Sequence, residues 1–298
     1  MTETVAAPAR PAESDTAPGA SILAVIALAW LAAMMWSSHA EITSGEGTLA
    51  ITSAAMALPT VISAGLVAGA AVSLAVSQLL RRLRGPLLFA VAVGSGLVVG
   101  VLAAVAIVSS YGGGEASTVL AGTLAAAVTA GGALAGVRAR GVVGAIVTAG
   151  LVVFAVEQVL DNFKPTLMSF YGEGDDPSSR LSASGWSALT IAVVTGIAAG
   201  VAAYVYLRRA ARRTPDQPPR WPAYAIAGAG PGLLLIAAEV IIRTLGGDVL
   251  ALAGSVSEAD ATAQQMMDSS RLNNALVVLF VGAIATIIAF GRTLPRAK

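Results

Sequence analysis

Eight apolar runs restrict the fold of this chain before anything else is considered. Each is close to or above the ~20 residues a helix needs to cross a ~30 Å hydrocarbon layer. They fall at about Ala20 to Ser37, Ala54 to Leu80, Pro86 to Tyr111, Ala116 to Val137, Gly141 to Leu160, Gly185 to Leu207, Pro222 to Leu245 and Leu272 to Phe290. Hydrocarbon offers the backbone no hydrogen-bond partner, so only helices and closed barrels cross it, and unbroken apolar runs lack the alternation of barrel strands. The expected fold is an all-α integral membrane protein, an eight-transmembrane-helix bundle with short loops.

Composition agrees. Of 298 residues 56% are hydrophobic and 12% charged, where a soluble domain carries about 25% charged residues. Cysteine is absent, which removes disulfides, thiolate metal sites and a cysteine nucleophile. His39 is the only histidine, so neither a two-histidine haem nor a histidine-based zinc site is supported. No phosphate loop, nucleophile elbow, paired metal carboxylates or dinucleotide fingerprint occurs, and the Gly112-Gly113-Gly114 turn lacks a following Lys-Ser. No catalytic, cofactor or metal residue is assigned, and nothing points to nucleic acid. Sixteen arginines against two lysines, among much Ala, Gly and Val, are the alphabet of a GC-rich bacterial genome.

Charge placement gives the orientation. The tails and even-numbered loops hold fourteen Lys and Arg, among them Arg81, Arg82, Arg84, Arg138, Arg140, Arg208, Arg209, Arg212 and Arg213. The odd-numbered loops hold three, Lys164, Arg180 and Arg271, beside eleven acids that include Glu41, Glu46, Asp175 and Asp176. By the positive-inside rule both termini are cytoplasmic and the protein is multi-pass in the cell (inner) membrane. Residues 1–19, with Pro8, Pro11 and Pro18 and almost no large apolar side chains, read as a disordered cytoplasmic tail, and residues 292–298 as a basic one. A rival topology takes Ala20 to Trp36 as a signal-peptide core cleaved after Ser38-His39-Ala40, leaving seven spans. The acids Glu3, Glu13 and Asp15 ahead of it and a core longer than the usual ~7 to 15 residues argue against that.

Only three ionisable residues sit inside spans, Glu157, Glu239 and Arg243, all toward the outer face. Glu239 and Arg243 are spaced i, i+4 and can pair along one helix. With Gln158 and with Asn273 and Asn274 at the start of the last span they form a candidate outer-leaflet polar pocket for a solute or lipid headgroup; the plainer alternative is a self-neutralised pair beside an interfacial Glu157. Gly230, Pro231 and Gly232 form a candidate hinge near the middle of the seventh span. The outer loop from Gly246 to Arg271 mixes polar and apolar residues at helical spacing over Asp248 to Met267, as an amphipathic surface helix would.

Glycines spaced four apart recur in five spans: Gly65 and Gly69, Gly96 and Gly100, Gly132 and Gly136, Gly196 and Gly200, Gly228 and Gly232. Such faces let helix backbones approach closely, within the bundle or between proteins. One internal echo stands out, Val61 to Val67 against Ile146 to Val152, but the two segments run in opposite directions. Apolar Gly-rich faces and an uncharged bundle centre point first to a non-enzymatic scaffold or subunit of a cell-envelope membrane complex, with the lipid bilayer and other membrane proteins as partners. The kinked seventh span with Glu239 and Arg243 points second to a permease or flippase for a small solute or lipid. A lipid-active enzyme using the outer-loop acids comes third.

Overall fold

The computed structural model describes residues 17–44, 48–80, 83, 85–111, 114–137, 139–213, 219–254 and 258–293. Most of the N-terminal tail, residues 294–298 of the C-terminal tail, Glu46, Arg81, Arg82, Arg84, Arg138 and the Gly112-Gly113 pair lie outside the described residues. The fold is all-α, and among the described residues there is no strand. Among the described residues ten helices follow in order: α1 Ala20–Ser44, α2 Thr48–Leu79, α3 Gly85–Tyr111, α4 Glu115–Ala135, α5 Arg140–Asp161, α6 Lys164–Phe170, α7 Pro177–Arg213, α8 Trp221–Leu245, α9 Gly247–Gly254 and α10 Glu258–Gly291. Eight of them, all but α6 and α9, are long and apolar enough to cross a membrane.

The apolar runs mark the part of each helix that matches hydrocarbon, and the helices themselves run further. α7 begins at Pro177 rather than near Gly185 because its first turn is capped. The Asp176 carboxylate accepts the Ser179 amide at 3.3 Å and the Ser178 hydroxyl, supplying partners for donors that a helix start leaves open. Asp248 to Met267 is not one surface helix: α9 takes its beginning, and its end belongs to α10, which enters the last span without a break.

Lipid-facing positions are apolar and exposed, as on α3 with Val98, Val101, Leu102 and Val105, which inverts the soluble-protein pattern. α2 is the most enclosed helix; Leu58, Val61, Ile62, Val67 and Leu74 are all but fully buried. Its run of Ala, Gly and Ser explains that position, since small side chains let neighbours close in from every side.

The packing divides the eight long helices into two sets of four with the same internal pairing. α1 lies on α2, α2 on α4, and α3 on α4; likewise α5 lies on α7, α7 on α10, and α8 on α10. Register repeats as well. A Cβ placed on Gly69 would strike the Val128 carbonyl, and one on Gly200 would stand 2.6 Å from the Gly282 carbonyl. Gly65 faces Leu124 as Gly196 faces Val278; Gly96 faces Val128 and Gly132 as Gly228 faces Gly282 and Thr286; Gly100 faces Ala125 as Gly232 faces Leu279. Each correspondence preserves the same spacing along both partner helices. The repeat therefore relates α2 to α7, whereas the sequence echo had set α2 beside α5.

The five glycine pairs are all consumed inside this bundle. Gly132 meets Ser73, Ala92 and Gly96, and Gly136 meets the Phe89 ring. Thr286 reinforces one crossing, its hydroxyl lying 2.9 Å from the Gly200 carbonyl and 2.8 Å from that of Gly282.

A polar cleft at the acidic end of the bundle

The ionisable residues of the spans gather where α5, α8 and α10 meet α2, toward the end that carries the acidic loops. Glu239 is 5% exposed and lies six residues before the end of α8, about 9 Å along the axis. Both of its oxygens are taken. Arg243 Nε donates to Oε1 at 2.7 Å, one turn along the same helix. Arg271 Nε, from α10, donates to Oε2 at 3.1 Å and its other end binds Asp268. The buried carboxylate thus clamps α8 to α10.

Glu157, on the last turns of α5, is arranged differently. Its Oε1 accepts the Asn274 amide at 3.0 Å, and among the described residues no Lys or Arg forms an ion pair with it. Asn274 and Arg271 are spaced i, i+3, so one face of α10 meets both acids.

Two cavities that share lining residues lie beside these groups. The smaller, about 170 Å³, is bounded by Pro59, Thr60 and Ser63 of α2, by Glu157, and by Glu239 and Arg271. The larger, about 340 Å³, shares Thr60, Phe154, Glu157, Arg271 and Asn274 with it and extends past Trp30 and Met34 of α1 to Ala188 and Ile191 of α7. Below them a space of about 10 Å³ is closed by Val67, Pro231 and Leu234, which leaves room for about one water at most. Exposed Asp161 and Lys164 border the larger cavity, and Val67, Pro231 and Leu234 line the small space beyond the other. Trp30 and Phe154 stack near-parallel with centroids 5.9 Å apart in the wall of the larger cavity, and the Trp30 indole nitrogen is buried with no hydrogen-bond partner among the described residues.

Of the six residues the sequence grouped, Glu157, Gln158, Glu239 and Asn274 line the cleft. Arg243 pairs with Glu239 from outside it, with its side chain 48% exposed. Asn273 is exposed and lines neither cavity. Arg271, Trp30 and Phe154 were missed. Arg271 had been counted as a loop cation, and only its spacing to Asn274 on a helix begun early could have revealed it. Gly230, Pro231 and Gly232 lie in an unbroken α8. A Cβ on Gly230 would meet Ile146 of α5, and one on Gly232 would stand 2.5 Å from Leu279 of α10, so both glycines sit at close helix contacts.

A larger apolar groove, about 530 Å³, lies between α1 and α3 and is lined by residues such as Leu28, Met35, Leu102 and Ala106. It offers a ligand little to orient against. Among the described residues no group of three or more His, Cys, Asp or Glu could hold a metal ion. Comparison of the chain with protein-family models, with curated proteins and with solved structures finds no match.

Proposed function

We propose that this protein is a permease of the cell membrane, or a flippase, that takes a small polar solute or a lipid headgroup into the cleft between α2, α5, α8 and α10. The observation that carries the reading is Glu157. It is a carboxylate within a membrane-crossing helix, on the wall of a cavity, held by one amide and by no cation among the described residues. Burying such a group is expensive, and ionisable residues in spans generally mark substrate or ion pathways. A cleft bordered by exposed Asp161 and Lys164, with Val67, Pro231 and Leu234 lining the small space beyond it, fits one access state of a carrier. The Lys and Arg asymmetry supports cytoplasmic termini and an outward-facing acidic end.

A scaffold role would draw on faces for partner proteins, and the glycine faces that suggested it are filled from within. The test is counterflow in proteoliposomes loaded with a panel of cationic, neutral and anionic small metabolites, paired with a scramblase assay using labelled phospholipids. Accumulation of at least one compound, abolished in Glu157→Gln, is expected. Wild-type vesicles as inert as empty ones across both assays would refute the proposal.

A further inference from the structure

We infer that the cleft is selective for an ammonium group, on a free organic cation or on a lipid headgroup; this rests on the permease reading and narrows it. The first ground is the charge balance around the cavity. Arg243 and Arg271 are matched by Glu239 and Asp268 through the contacts already described. Lys164 lies 4.0 Å from Asp161 at the exposed rim. Glu157 remains, a carboxyl lining the cavity without a counter-charge among the described residues. An anionic ligand would oppose ionisation of that carboxyl, a neutral one would leave it without a partner charge, and a cation would pair with its ionised form.

The second ground is the aromatic pair beside that carboxyl, Phe154 standing one turn before Glu157 on α5. Trp30 and Phe154 are stacked side by side there, with Met34 beside them. Aromatic faces attract cations through the ring quadrupole, most strongly for Trp, and aromatic cages recognise quaternary ammonium groups. Polarizable Met suits the methyl or methylene groups such a cation carries. Gln158 and Asn274 supply hydrogen-bonding groups on the same cavity, enough to hold the polar remainder of the molecule. A cavity of about 340 Å³ is at the lower end of the range for small-molecule sites, which fits a compact cation and excludes an extended one.

The test uses the full chain in nanodiscs made of phosphatidylglycerol alone, which present no ammonium headgroup. Calorimetric titration compares choline and tetramethylammonium with 3,3-dimethylbutanol, the uncharged isostere of choline, and with acetate. Saturable binding of the cations is expected, at least tenfold tighter than of the isostere. Glu157→Gln should lose it, and Trp30→Leu should weaken it roughly tenfold; Trp30→Phe, which keeps an aromatic face, should retain most of it and shows that the fold survives. Rebuilding the discs with phosphatidylcholine separates the sources: competition with choline points to the headgroup, and unchanged affinity to the free cation. Either result supports an ammonium site. Equal or tighter binding of 3,3-dimethylbutanol or acetate would overturn the inference and leave the permease reading standing. Transport without any cation binding would do the same. No binding by any probe together with no transport would overturn both.

Discussion

Replacing Glu239 by Gln keeps the size of the side chain and removes the charge that joins α8 to α10. Hydrogen bonds to charged groups contribute about 1.5 to 3 kcal/mol each, and Glu239 accepts two. They do not count equally. The Arg243 side chain is 48% exposed and recovers water when released, so its share is at the surface value of about 0.5 to 1 kcal/mol. The Arg271 side chain is 28% exposed and keeps only Asp268, so its share is nearer 2 kcal/mol. Glu239→Gln should therefore destabilise the bundle by about 2 to 3 kcal/mol, Arg271→Met by about 1 to 2 and Arg243→Met by under about 1. Because the residues form one network, the Glu239→Gln, Arg271→Met double variant should lose less than the sum of the two single changes. Reversible unfolding of the purified protein in mixed micelles measures all four. Strict additivity, or a loss in Arg243→Met equal to that in Glu239→Gln, would refute the view that the tie runs chiefly between α8 and α10.

The glycine crossings give a second expectation: Gly69→Leu and Gly200→Leu should each cost several kcal/mol, the order of an overpacked or rearranged core (about 1 to 3 or more), while Gly94→Leu, with open space around its Cβ position, should cost little in the same unfolding assay. The Asp176 carboxyl is held below the ordinary aspartate range, first by the Ser178 hydroxyl and then by the Ser179 amide. A depressed folded-state value means that the cap is fully present above the ordinary aspartate value and is lost as pH falls through the lower one. Amide-exchange protection at the start of α7 should accordingly persist through mild acid and fail only below the usual aspartate range, and Asp176→Asn should abolish that acid transition. The chain has no cysteine, so single cysteines at Asp175 and Arg212 report sidedness directly: an impermeant maleimide added outside intact cells should label the first and spare the second. Labelling of both from one side would end the eight-span topology.

Hydropathy made the eight crossing segments legible because lipid demands length and apolarity and little else. It could not fix helix ends. Those depend on local partners such as the Asp176 cap of α7, which lies in a polar stretch that looks like loop. Glu157 and Glu239 were legible for the same physical reason as the spans, being charges where charge is costly. Their company was not. Trp30 and Phe154 are unremarkable in apolar helices, and only the meeting of α1 with α5 makes them a wall. Arg271 read as a loop residue because the polar first turns of α10 resemble a connection. The repeat was hidden by the chain's narrow alphabet, in which Ala, Gly and Val produce chance echoes as readily as true ones.

The repeated architecture also locates where the two sets of four helices have parted company. Counting seven residues on from Gly100 reaches Ile107; the same step from Gly232 reaches Glu239. Four residues back from Leu124 is Leu120, and four back from Val278 is Asn274. Ile107 and Leu120 are sealed in the apolar core, so the earlier set fills with hydrocarbon the place where the later set puts a carboxylate and an amide. Exchanging a greasy plug for polar side chains, on an otherwise duplicated frame, is an economical way for one half of a symmetric scaffold to acquire a chemistry the other half never had.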